Sequence, residues 1–221
     1  MKIKQLSFLG VGGLIVLLAL FTTACKSKKR VVEKKPVIYL YPEKEMQVTV
    51  MLNLNSDYEL TLTEPVYNGG WTVMARPDGH LTDLADGKTY PYLFWEAVDY
   101  YEYQFKQGFC VHRDSTEAFL RRTLTTIGLN EKEREEFISF WTPEMKTNEY
   151  NLVSFAGEQF TSRAQLDIEP APDAILRVFM IFRSTDAETV IQPQTFESFH
   201  RKGFTVVEWG GANVGAASDL N

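Results

Sequence analysis

Two cysteines in 221 residues are too few for a disulfide framework, so the fold must be held by its apolar core. Three histidines, His80, His112 and His200, lie far apart and lack the carboxylate spacing of a ligand set. The chain has no Gly-x-Ser-x-Gly elbow, no His-Glu-x-x-His helix, no Cys-x-x-Cys pair and no glycine-rich phosphate loop ending in Lys-Ser or Lys-Thr. Nucleotide hydrolysis and zinc proteolysis therefore lose their usual signatures, and neither a cofactor nor a metal is expected. Positive charge is scarce from Pro36 onward, where 15 basic side chains stand against 28 acidic ones. Phosphate repels such a body, which argues against nucleic acid as a partner.

Lys2 and Lys4 precede an apolar run from Leu6 to Phe21, interrupted by Ser7, Gly10, Gly12 and Gly13. A bilayer-crossing helix needs about 20 apolar residues, so residues 1–24 read as a secretory signal peptide instead. Thr22-Thr23-Ala24-Cys25 resembles a lipobox, with Thr22 in place of the usual leucine. Cys25 is thus the expected lipidation site, which leaves Cys110 without a partner. Residues 25–35 form the expected lipidated basic arm, with Lys26, Lys28, Lys29, Arg30, Lys34 and Lys35 against Glu33 alone. The expected location is a bacterial cell membrane or outer membrane, with the body outside the cytoplasm. Its first partner is then the membrane, through the lipid and the arm, and an envelope glycan or protein is the second.

The body divides by pattern. Val48, Val50, Leu52 and Leu54 alternate with polar residues, Tyr58 to Thr63 alternates again, and Asn55-Ser56-Asp57 between them predicts a hairpin. Turn residues then punctuate short strands at Trp71 to Ala75 and Tyr92 to Trp95, completing a β-rich part over 36–113. Asp114 with Glu117 three places on predicts a helix start, and Gly128 its stop. A second helix follows from Asn130 toward Pro143, so 114–143 is a helical hairpin. Its acidic start, Glu131-Lys132-Glu133-Arg134-Glu135-Glu136, faces phosphate badly and argues against DNA recognition. Strands at Tyr150 to Phe155, Ala164 to Ile168, Ile175 to Phe182 and Phe204 to Trp209 make a second β-rich part over 144–211, followed by a flexible tail, 212–221. The expected fold is α+β, an antiparallel, sandwich-like β body with one inserted helical hairpin.

Lys35-Pro36-Val37-Ile38-Tyr39-Leu40-Tyr41-Pro42, Tyr90-Pro91-Tyr92-Leu93-Phe94-Trp95-Glu96 and Gly203-Phe204-Thr205-Val206-Val207-Glu208-Trp209-Gly210-Gly211 carry a resemblance to an uncharacterised bacterial family, often secreted or lipid-anchored. The resemblance covers most of the chain beyond the basic arm and implies no established activity or ligand.

Among residues able to do chemistry, Cys110 and His112 share one strand face, where a histidine can activate a thiolate. The apolar run Phe109-Cys110-Val111 favours a buried, inert cysteine on the same side as Tyr101, Tyr103 and Phe105. The segment Asp78 to Gly87 is acidic but lacks the alternating oxygen ligands of a calcium loop. Trp95-Glu96 and Glu208-Trp209 each set an aromatic face beside a carboxylate, as sugar recognition or two-carboxylate glycoside hydrolysis requires. The leading expectation is a non-catalytic binding or structural role, and the alternative is a carbohydrate-directed hydrolase or glycan-binding protein using Trp95, Glu96, Glu208 and Trp209.

Overall fold

The computed structural model describes residues 30–215. The signal peptide, Cys25 and residues 216–221 of the expected tail lie outside the described residues. What is described is a mostly-β α+β fold in three layers, a small sheet, a large sheet and a helical hairpin.

The large sheet has seven strands. From one edge they are β3 (Tyr58–Glu64), β7 (Leu93–Asp99), β1 (Val31–Tyr41), β12 (Thr205–Asn213), β11 (Ala174–Thr185), β9 (Tyr150–Phe155) and β8 (Phe109–His112). Every pair is antiparallel except β11 with β12. A parallel neighbour needs a crossover. Here it is the irregular segment 186–204, which runs past the β8 and β9 edge and the end of α1, fastened by Gly108 N–H to the Gln192 carbonyl and Phe199 N–H to the Ile127 carbonyl. The small sheet runs β10 (Ala164–Glu169), β2 (Met46–Leu54), β4 (Trp71–Ala75), β5 (Leu81–Asp83) and β6 (Thr89–Tyr90), antiparallel throughout.

Each face of the large sheet has its own core. Ile38, Leu40, Trp95, Val206 and Phe179 meet the small sheet's Val48, Val50, Trp71 and Val73. On the other face Val37, Tyr39, Val207, Trp209, Met180 and Phe182 meet the helices. Strands covered on both sides are apolar at consecutive positions, which explains the unbroken Val178 to Phe182 run.

The helical hairpin consists of α1 (Thr116–Ile127) and α2 (Glu131–Met145), inserted between β8 and β9. Asn130 caps α2 by accepting from Glu133 N–H at 2.9 Å, while the Glu133 carboxylate reaches back to Asn130 N–H, a complete capping box. Gly128, left-handed at φ 114°, closes α1 as expected. A short helix, α3 (Glu158–Thr161), follows β9 and sends Phe160 into the core between the sheets.

Several local expectations are corrected. β2 and β3 are not a hairpin, because the turn at Asn55 is a corner that carries the chain from the small sheet to the large one. Placing them in opposite sheets lets Val48, Val50 and Leu52 of β2 and Tyr58 and Leu60 of β3 enter the same interlayer core, while Leu62, beyond a register shift, stays exposed. Asp114 does not cap α1, since a single 3-10 turn, Arg113–Ser115, precedes that helix. Pro143 lies within the last turns of α2 and does not end it. Residues 31–35 are not a free arm but the first half of β1, with Glu33 fully buried. Nor does the fold end at residue 211. Ala212 and Asn213 complete β12, and Val214 is buried in the interlayer core.

Candidate functional site

Glu33, Asp99 and Glu208 come from the adjacent strands β1, β7 and β12, and all three turn into the space between the sheets. A β-bulge between Lys34 and Val37, with Lys35 left-handed at φ 58°, allows this. The extra residue rephases β1, so that Glu33 and Ile38 both face the small sheet although they are five positions apart.

Glu33 Oε1 accepts from the Tyr103 hydroxyl at 2.7 Å and the Tyr58 hydroxyl at 2.9 Å, while Oε2 has no protein partner. Burial pushes its pKa up to about 8; the Tyr103 hydrogen bond opposes this and the charge on Asp99 adds to it. Asp99 binds the Arg163 guanidinium at 2.5 Å, yet burial still raises its pKa, and its Oδ2 is unpartnered. Burial also raises both phenols, those of Tyr58 and Tyr103. Glu208, 1% exposed, accepts from Arg177 Nε at 2.6 Å and from Trp95 Nε1 at 3.1 Å. Arg177 lies over the Phe160 ring and Arg163 over Tyr101. The result is a largely buried polar network able to hold a proton on Glu33 near neutrality, in which Glu33 itself is fully buried and its partner Tyr103 also lines a surface pocket.

The four sugar-site candidates are divided by the large sheet. Trp95 and Glu208 share the interlayer side, whereas Trp209 packs 5.2 Å from the Phe137 ring in the helical core. Glu96, half-buried, accepts weakly from Lys35 N–H at 3.4 Å and follows Trp95 onto the other face. Neighbours along a strand alternate in direction, so neither Trp–Glu pair could share a face. That much was legible in the sequence. Two carboxylates on opposite sides of a sheet leave the hydrolase without its acid and base in one cleft.

Cys110 is half-exposed at the sheet edge, a correction to the buried cysteine expected. Val111 and Phe109 take the helical side, and the Cys110 Sγ accepts from Thr189 N–H at 3.2 Å. Tyr101, Tyr103 and Phe105 are not a preceding strand with one aromatic face; they belong to an irregular segment, and of the three only Tyr103 is buried. His112 Nδ1 accepts from Asp114 N–H and its ring meets Tyr150 edge-on. The acidic segment's carboxylates hold turns, Asp78 accepting from His80 N–H, Asp83 from Asp86 N–H and Asp86 from Lys88 N–H. Among the described residues no three His, Cys, Asp or Glu side chains converge on a metal position.

Two surface pockets lie at opposite ends of β7. One, of about 570 Å³, sits between the end of β3 and the β5–β6 turn, with Leu62, Val66, Asp86 and Tyr90 among its walls. Tyr90 donates to Asp86 at 2.6 Å, and this bond pushes the phenol up to about 12. Leu62 is 53% exposed and Val66 73%, an open apolar rim. The other pocket, of about 310 Å³, lies beside Val31 with Tyr101, Phe105, Arg183 and Val214.

The three motifs behind the sequence resemblance fall largely on β1, β7 and β12, the contiguous centre of the large sheet. No family model matches the chain, and no solved structure matches it. An "Uncharacterized protein in bglA 3'region" of Butyrivibrio fibrisolvens is 41% identical over 64 residues, 28% of this chain and 65% of that protein's length. No helix among the described residues is long and apolar enough to cross a membrane.

Proposed function

We propose that the chain is a non-catalytic lipoprotein of the bacterial cell envelope, held by acyl groups on Cys25, whose body binds a protein partner at the Leu62–Val66 groove. The contrast between the two kinds of site carries the reading. The carboxylate on which sugar chemistry would depend, Glu208, is enclosed and paired with Arg177, while the exposed apolar side chains line an open groove. β3 pairs with β7 alone among the described strands, so its outer backbone edge lies beside that groove and suits an extended polypeptide. The signal-like run ending at Thr22-Thr23-Ala24-Cys25 supports the anchor.

Cys25→Ser should abolish fatty-acid labelling and release the protein from membranes while its circular dichroism is unchanged. Labelling and sedimentation that persist would reject the anchor. For the groove, a photo-crosslinking residue at Val66 in cells should yield one discrete protein adduct that Leu62→Asp removes. An adduct pattern indifferent to Leu62→Asp would reject the groove.

A further inference from the structure

The pocket beside Val31 sits at the root of the tether. Between Cys25 and Val31 there are six residue steps, and a fully extended chain covers at most about 3.5 Å per residue, or about 20 Å in all. Val31 is already paired in β1, opposite Asp99, and it forms part of the pocket wall. On the lipid-anchored reading, therefore, this end of the body cannot leave the headgroup region by more than that length.

The chemistry of the pocket suits that position. Tyr101 and Phe105 are half-exposed, and the exposed Arg183 guanidinium lies 5.2 Å from the Phe105 ring centre, with no ion pair among the described residues. Aromatic rings beside basic side chains settle at the bilayer interface, and a guanidinium matches phosphate oxygens in a two-pronged geometry. Arg30 adds positive charge beside Val31, Lys106 follows Phe105, and Glu102 is the acidic residue among those lining the pocket. The body from Pro36 onward is strongly acidic as a whole, so an anionic surface repels it except where basic side chains collect.

We propose that this pocket is a membrane-docking face that takes anionic phospholipid headgroups, with Arg183 on the phosphate and Tyr101 and Phe105 at the interface. The body then stands with the Val31 end down and the Leu62–Val66 groove turned outward.

The test uses the full acylated chain on vesicles of phosphatidylcholine with 30% phosphatidylglycerol. A Cys110→Ser background carries one fluorophore, at Glu102→Cys or at Lys88→Cys beside the distal groove, and a headgroup-attached quencher reports proximity. Quenching at position 102 should exceed that at 88 at least fivefold, and Phe105→Ser with Arg183→Glu should lower it more than twofold without releasing protein from the vesicles. Protein that pellets with the vesicles but quenches equally at both positions overturns the docking face alone. Quenching at 102 that ignores the double substitution overturns it too, leaving the short tether as the cause. Protein that stays in the supernatant defeats the anchored reading and this inference with it.

Discussion

Glu33 shows how one buried carboxyl can set a protein's pH response. Its pKa in the folded chain is about 8, against an ordinary value of 4.5, because burial disfavours the charged form. Between those values folding takes up a proton, so stability falls as pH rises through the window, by on the order of 5 kcal/mol. Below about 4.5 both states hold the proton and the effect vanishes. Glu33→Gln, neutral at every pH, should raise the urea midpoint at pH 9 and change it little at pH 5. Parallel pH profiles for the two proteins would contradict this. Glu208 forms a buried ion pair with Arg177 at 2.6 Å. Glu208→Ala should cost about 3–5 kcal/mol by stranding the guanidinium, and Glu208→Leu combined with Arg177→Met should recover most of it in equilibrium unfolding.

At the scale of elements, chain-local signals and long-range ones had different fates. Asn130 and Glu133 sit three positions apart and cap α2 within one turn, so the start of that helix could be read from the sequence. Asn130→Ala should lower stability by about 1 kcal/mol, and Asn130→Gly by only a few tenths, measured by thermal unfolding. Glu133 also holds Arg201, 68 positions away, at 2.5 Å, so the cap is tied to the β11–β12 crossover by a contact no local pattern announces. The same limit explains β2 and β3. Their alternation was legible as strands, but a turn of Asn-Ser-Asp fits a hairpin and an intersheet corner equally well. Only the competition for a shared core decides between them.

The whole molecule depends on how closely its layers approach. A side chain at Gly211 would place a Cβ 2.4 Å from the Met180 carbonyl oxygen and 2.9 Å from the Trp141 ring, so glycine there lets β12 lie against both β11 and α2. Gly211→Ala should cost more than about 2 kcal/mol and expose Trp141, seen as a red-shifted tryptophan emission in a destabilised native state. An unchanged spectrum and unfolding midpoint would contradict this close approach. The Gly-Gly pair that ends one of the three motifs thus has a packing reason, and β1, β7 and β12 meet at the centre of one sheet.

From the sequence alone came the β-rich, α+β composition, the inserted helical hairpin, nearly every strand from Trp71 onward and the expectation of an anchored Cys25. These rest on periodicity, caps and charge, which act over a few neighbouring residues. Tertiary structure decided which strands share a sheet, which of Trp95, Glu96, Glu208 and Trp209 share a face with one another, and that Glu33 leaves a basic segment for the core. Those outcomes turn on a bulge at Lys35 and on burial by segments distant in sequence, and neither is a property of the residues beside them.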